Sequence, residues 1–259
     1  VGSEMVVDPR VWKTTGKKWQ DVRTAINKAK RDGITDVQST FLESPLEVRE
    51  QIEDISEEWA QLKALPEMKF TLGGVEELRD PRVRLLYAVD ADGRVLGVTS
   101  WLPTWRDGRV IGWTLDFMRH RTDSPNGIME FLIARMAERL RDEGAADPER
   151  AAEFMSLSAA PLAGMNPERD NAGEGGAPAG EGTQVLQHAL QIVADWMEPA
   201  YGFHSLFNFK RKFQPTEAPV YVCYPDPAAL PQIGLAVVRA YVPSVTPAEV
   251  AGMLSTLRS

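Results

Sequence analysis

Apolar positions from Trp19 to Arg31 recur at helical spacing, with Trp19, Val22, Ile26 and Ala29 on one stripe and Gly33 as the stop. Thr35 to Phe41 is expected as a short strand. Ser44, Pro45 and Glu47 then form a helix-start signature ahead of the apolar face Leu46, Ile52, Ile55, Trp59 and Leu62, and Pro66 ends that helix. A different pattern follows. Val83 to Val89 and Val95 to Leu102 flank an Asp-Ala-Asp-Gly turn, which supplies the positive φ of a tight reversal and predicts a hairpin. Arg106-Asp107-Gly108 makes a second turn, and Val110 to Met118 is the third strand of a meander. Ile128 to Glu143 predicts a long helix with Met129, Leu132, Ile133, Met136 and Leu140 on one face and Gly144 closing it. Phe154 to Ser158 reads as a short buried strand. Asn166 to Gly182 has no periodicity and predicts a surface loop, ahead of a helix over Val185 to Met197. Leu206 to Phe213 carries a basic cluster in which Lys210 and Lys212 point the same way if it is a strand, and Val220 to Tyr224 is a last strand. One more amphipathic helix is expected in the tail, Ala236 to Ser259.

Composition narrows the classes. The 259 residues suffice for one large domain or two small ones. A single cysteine, Cys223, excludes an internal disulfide, and His120, His188 and His204 lack ligand spacing, so no metal site is expected. The setting expected is reducing and cytoplasmic. No apolar run reaches the roughly 18 residues of a membrane span. The chain starts without methionine, which suggests a longer parent protein.

The net charge of -8 argues against general nucleic-acid binding, but the charge is unevenly spread. Arg10, Lys13, Lys17, Lys18, Arg23, Lys28, Lys30 and Arg31 face only Asp21 and Asp32. Lys210-Arg211-Lys212 is a second basic cluster, and Glu43 to Glu58 is strongly acidic. A solvated helix face accounts for the acidic run; the basic clusters suit either solvent or an anionic partner.

The order of helix, helix, antiparallel meander, glycine-containing loop, helix and strand resembles an N-acetyltransferase-like α/β fold, abbreviated GNAT. In that fold a loop at a helix N-terminus holds the pyrophosphate of coenzyme A. The corresponding stretch here, Thr122 to Gly127, lacks the usual Arg/Gln-x-x-Gly-x-Gly/Ala pattern, and Pro125 removes a donor. A different resemblance is more specific. Asp116-Phe117-Met118-Arg119, Pro125-Asn126-Gly127 and Met129-Glu130-Phe131-Leu132 are similar to consecutive segments of the bacterial aminoacyl-phosphatidylglycerol synthases, the multiple peptide resistance factors. Arg23 to Asn27 and Phe70 to Gly73 upstream are similar to that family too. So are Ser156 to Ala163, Phe209 to Phe213, Pro219 to Tyr221 and Tyr224-Pro225 downstream, all in the same order.

The resemblance implies two acetyltransferase-like units in tandem around a tunnel. On this basis 1–41 is expected to be the end of a first unit, 42–235 a complete second unit with the loop 166–182, and 236–259 a helical tail. It also implies an aminoacyltransferase that moves an amino acid, lysine by family default, from aminoacyl-tRNA to the glycerol hydroxyl of the anionic lipid phosphatidylglycerol. Such enzymes act at the inner face of the cell membrane, usually beside a membrane domain of the same protein, and confer resistance to cationic peptides. No cofactor is implied, because exchanging one ester for another is close to energetic balance. What the site must do is align a hydroxyl with a carbonyl, take a proton and stabilise an oxyanion.

Asp116 is the candidate base or ammonium anchor, with Arg119 as a candidate bidentate phosphate ligand and Lys210 and Lys212 as candidate phosphate-binding point charges. Arg121, Asn126, Ser156, Ser158 and Tyr221 are candidate substrate-binding residues. Plainer readings stand beside these: Asp116 and Arg119 as a structural ion pair, the serines as backbone partners, and Trp101, Trp105 and Trp113 as packing. In a regular strand the three-residue spacing puts Asp116 and Arg119 on opposite faces, so a shared site requires a bulge or a strand ending near Met118. Ser156 and Ala159 depart from the family's Asn and Met, which leaves the amino acid open. Two other classes fit the same elements: a coenzyme A-dependent N-acetyltransferase, and a non-catalytic tRNA- or membrane-binding domain.

Overall fold

The computed structural model describes residues 2–61, 73–161, 203–221 and 223–229, with positions 232, 233 and 236. Its centre is a seven-stranded sheet. In chain order the strands are β1 (Gly2–Val7), β2 (Thr35–Ser39), β3 (Arg84–Val89), β4 (Val95–Arg106), β5 (Arg109–His120), β6 (Phe154–Pro161) and β7 (Thr216–Val220). Across the sheet they run β2-β3-β4-β5-β6-β1-β7. All neighbours are antiparallel except β5 and β6. That one parallel step requires a crossover, which α3 (Ile128–Ala146) supplies.

The remaining helices are α1 (Gln20–Arg31), α2 (Leu46–Gln61) and α4 (Phe203–Arg211). Helices cover both faces of the sheet. Val22 and Ala29 of α1 and Leu132, Ile133, Met136 and Leu140 of α3 join Trp101, Trp113 and Leu115 in one core. Ile52 and Ile55 of α2 join Leu85, Val98 and Phe117 in the other. Burying each large apolar side chain contributes about 1.5–3 kcal/mol, which is why the two apolar stripes fix the helices to opposite faces. Gly127 starts α3 with φ +96, and a Cβ there would meet the Ala25 Cβ of α1 at 3.0 Å, so this helix start can sit tightly against α1. Asp36 of β2 locks α3 from the side, taking Arg135 at 2.7 Å and Arg139 at 2.6 Å.

The α/β class and the predicted meander are as expected; several boundaries differ. β5 continues to His120, past Met118. α3 passes through Gly144, which is a glycine because a Cβ would lie 2.9 Å from the Ala151 Cβ. Lys210 and Lys212, placed on a strand in the sequence reading, lie instead on the helix α4 and its following turn, with Phe213 buried and Phe207 and Phe209 packed against the α3-side core. The last strand lies at Thr216–Val220, earlier than predicted. The position expected as a division, 41, follows β1, α1 and β2, all of which belong to the common sheet or pack on it. Trp101 and Trp113 are buried as expected, whereas Trp105 is half exposed. No helix among the described residues is long and apolar enough to cross a membrane. The predicted loop 166–182 and the helices at Val185–Met197 and in the tail lie outside the described residues.

Candidate functional site

A bulge in β5 builds the first half of the site. Leu115 pairs with Trp101 and Met118 with Thr99, so Asp116 and Phe117 together face the single residue Ser100. The Ser100 hydroxyl accepts the Phe117 N–H at 3.0 Å, satisfying the group that the bulge removes from the ladder. The extra residue shifts the alternation by one. Trp113 and Leu115 point toward α3, whereas Phe117 packs in the α2-side core and Arg119 reaches α2. Asp116 and Arg119 therefore share a face despite their spacing. With Trp59, Gly73, Phe117 and Met118 they line a small cleft of about 30 Å³.

Asp116 sits against the chain at Gly73. A Cβ at Gly73 would lie 1.9 Å from Asp116 Oδ2, so only glycine permits this approach. Burial pushes the Asp116 pKa up, the charge of Glu77 adds to that, and a hydrogen bond from the Gly73 backbone opposes both. The carboxyl is thus a better proton acceptor than an exposed aspartate.

Arg119 is 3 % exposed. Its guanidinium donates to Ser56 Oγ at 2.6 Å and to the Ser56 carbonyl at 3.2 Å. It also lies over the rings of Trp59 at 4.1 Å and Phe117 at 4.5 Å. α2 presents Ile52, Ile55, Ser56 and Trp59 toward the sheet because they fall on one helical face. Ring stacking and hydrogen bonding hold the guanidinium plane in one orientation.

The second half lies where β5 and β6 part. Their parallel pairing runs from Gly112↔Phe154 to Thr114↔Ser156. Ser158 has φ 65, a strained left-handed value for a non-glycine residue, and its hydroxyl donates to the Leu115 carbonyl, next to Asp116. Ser158 also gives its N–H to Ser156 Oγ at 3.0 Å, and that hydroxyl donates to Glu4 Oε1 of β1 at 2.7 Å. Lys210, near the end of α4, donates to the carbonyls of Ser158 at 3.3 Å and Ala159 at 3.0 Å. Lys210 as a residue is 4 % exposed, and burial lowers its pKa from 10.5 to about 8, with Glu4 acting in the opposite direction.

Ser156, Ser158 and Lys210 are thus linked where β5 and β6 part, with Ser158 bonded to the carbonyl next to Asp116, while Asp116 and Arg119 share the cleft against α2. The other candidates belong to neither group. Because Leu206 to Phe213 is helix and turn, Lys212 does not share Lys210's direction; it pairs with Glu130 of α3 at 2.7 Å. Arg121 donates from Nε to the Val95 carbonyl at 2.9 Å and supports the β4 end. Asn126 is exposed beside α1, and Tyr221 is 78 % exposed beyond β7. Ser56, Trp59, Ser100 and Glu4 escaped the sequence reading. Trp59 was visible only as one more apolar position, and a serine facing a strand two turns away in the chain carries no local signal. Among the described residues no three His, Cys, Asp or Glu side chains group as metal ligands would.

A meander, a crossover helix and a strand that starts parallel and then parts from its neighbour place the domain in the acetyltransferase-like α/β class. Residues 1–224 match the profile of the phosphatidylglycerol lysyltransferase C-terminal family, and the chain belongs to that family. It is 40% identical over 227 residues to an uncharacterized protein of Corynebacterium glutamicum, covering 88% of this chain and 26% of that one. It is 26% identical over 242 residues to the lysylphosphatidylglycerol biosynthesis bifunctional protein LysX of Mycobacterium ulcerans, covering 93% of this chain and 20% of that protein. The chain therefore spans about a quarter or less of the curated relatives it matches. The solved structure of L-PGS from Bacillus licheniformis superposes with a TM-score of 0.67 at 22% identity, over 93% of this chain and 65% of that one. A lysylphosphatidylglycerol synthetase C-terminal domain from Agrobacterium fabrum gives 0.64 at 22%, over 92% and 65%. These two likenesses establish the shared fold.

Proposed function

We propose that this chain carries the transfer centre of an aminoacyl-tRNA-dependent phosphatidylglycerol aminoacyltransferase, with lysine as the default amino acid. The observation that carries this reading is the β5 bulge, which brings a proton-accepting Asp116 and a rigidly held Arg119 to one cleft. Family membership points to the same reaction. In the reaction the glycerol hydroxyl oxygen forms a new ester bond to the aminoacyl carbonyl carbon, and the bond from that carbon to the ribose oxygen breaks. The hydroxyl proton passes to Asp116 and on to the departing ribose oxygen. Arg119 fixes the lipid phosphate or the oxyanion, and Lys210 provides positive charge at the strand gap.

Lys212 and Tyr221 are assigned to the outer path of the substrates, Arg121 and Asn126 to the rim, and Ser156 and Ser158 to the wall of the strand gap. On this reading residues 1–41 close a first acetyltransferase-like unit, joined to the second through β1 and β2 in the common sheet. The domain works at the inner membrane face, joined to a membrane domain in a longer parent.

The test is transfer of labelled lysine from lysyl-tRNA into organic-extractable lipid on phosphatidylglycerol vesicles. Asp116→Asn and Arg119→Met are expected to lower kcat by roughly 10²-fold or more, the range in which a positioned acid–base or oxyanion group acts. Release of free lysine alone, or wild-type transfer by both variants, would overturn the proposal.

A further inference from the structure

The first basic cluster is a built surface. Between Trp12 and Trp19 the chain makes a loop that presents Lys13, Lys17 and Lys18, all exposed. The two tryptophans close it at its base, both buried and meeting edge to face at 4.8 Å. Arg23, one turn into α1, pins the loop from inside: its Nη1 donates to the carbonyls of Thr14 at 2.7 Å and Gly16 at 2.5 Å. Arg141 of α3 adds a bond to the Trp12 carbonyl at 3.4 Å. The outward face of α1 continues the surface with Gln20, Thr24, Asn27 and Lys30, all exposed. Among the described residues Lys13, Lys17, Lys18 and Lys30 have no ion-pair partner, and Asp21 is the one acidic residue between Arg10 and Arg31. An anionic protein that keeps three lysines on a tethered loop has localised its positive field there.

Two observations decide the partner. The apolar side of α1 is spent on the core through Val22, Ala25 and Ala29, and none of the exposed large apolar residues lies on this helix. A helix that lies in a bilayer interface needs a free apolar face to insert. The exposed uncharged side chains of α1, Gln20, Thr24 and Asn27, are hydrogen-bonding ones suited to phosphate and ribose oxygens, and one exposed apolar residue, Val11, precedes the loop. The acidic helix α2 sits on the opposite face of the sheet, so its charge does not oppose a polyanion approaching α1.

We infer that the Trp12–Trp19 loop and the outer face of α1 form the docking surface for the sugar-phosphate backbone of an RNA, an assignment that rests on the aminoacyl-tRNA reading above. The surface reads backbone charge and not base sequence, and the lysines act as separate point charges.

The experiment is an anisotropy titration of labelled, unacylated transfer RNA with the chain over a series of salt concentrations. K13A/K17A/K18A is compared with wild type and with K13R/K17R/K18R. The alanine variant is expected to bind at least tenfold more weakly at about 100 mM salt, with a log–log salt slope lower by roughly 0.9 per lysine. The arginine variant is expected to keep both. Wild-type affinity and slope in the alanine variant would overturn the inference and leave the transfer reading intact. So would loss of sedimentation with phosphatidylglycerol vesicles alongside unchanged RNA binding, which would make the loop a lipid contact. A wild-type chain that binds no transfer RNA at all would remove the aminoacyl-tRNA reading itself.

Discussion

Replacing Lys210 with methionine isolates the energetics of the strand gap. The folded protein holds this ammonium where burial lowers its pKa from 10.5 to about 8. At 1.36 kcal/mol per pH unit, that corresponds to about 3 kcal/mol that the folded state bears while the group is charged. Below pH 8 both folded and unfolded chains hold the proton, so the whole cost is present. Between pH 8 and 10.5 the folded protein has released its proton while the unfolded chain still binds one, and stability rises with pH. Above 10.5 the cost is gone. Lys210→Met has no proton to release. The difference in unfolding free energy, wild type minus variant, is therefore expected to climb by about 3 kcal/mol from pH 7 to pH 10.5; tyrosines and other lysines cancel in the subtraction.

At pH 7 the variant escapes the cost of burying an ammonium but strips the carbonyls of Ser158 and Ala159 of their donor. A buried polar group left unpaired costs about 1–3 kcal/mol, so the two effects nearly offset and the stabilities at pH 7 are expected to lie close together. Urea unfolding followed by tryptophan fluorescence at half-unit steps of pH gives the difference curve. A curve that stays flat across this window would show that Lys210 titrates as an ordinary lysine and that the strand gap does not desolvate it.

Two other changes test the Asp116 half. Ser100→Ala removes the acceptor for the Phe117 N–H in a fully buried bulge; the urea midpoint is expected to fall by an amount equivalent to about 1–3 kcal/mol at constant m, with transfer activity falling too as Asp116 and Arg119 lose register. Glu77→Gln removes the charge that adds to the raised Asp116 pKa while keeping an oxygen to accept the Gly74 N–H at 2.8 Å. The acid limb of the kcat/KM profile is expected to move to lower pH without reaching the usual aspartate range, because burial is the larger cause; an unmoved limb would mean that Asp116 is not the group titrating.

Much of the fold is written in local patterns. The hairpin and meander follow from Asp-Gly turns, and α1, α2 and α3 from one-sided apolar stripes. The failures have identifiable causes. Phe207, Phe209 and Phe213 share the parity of a strand, and only Phe209 and Phe213 have the four-residue spacing of a helix face, yet the segment is helical to Arg211 with all three on the α3-side core. The last strand is expected to begin only at Val220, yet Pro219 stands inside β7. β7 ends the sheet order, and proline is tolerated in an edge strand because the ladder needs no donor on its open side. Gly144 resembles a helix stop, but its lack of a side chain answers to Ala151 from another segment, which no local pattern announces.

The site exposes a deeper limit of pattern reading. Alternation reveals a strand's register only when one face is wet, since only then do apolar and polar residues take opposite sides. β5 is covered by α3 on one face and α2 on the other, so Trp113, Leu115 and Phe117 are all buried, although the bulge turns Phe117 to the other side. The spacing of Asp116 and Arg119 posed the question of a bulge without the means to answer it. The answer lies seventeen positions away, in the hydroxyl of Ser100 that takes the Phe117 N–H. A charged pair at the wrong spacing in a strand buried on both faces is therefore a reason to look for a bulge. The partner strand then says where it sits, through a small polar residue at an otherwise apolar position.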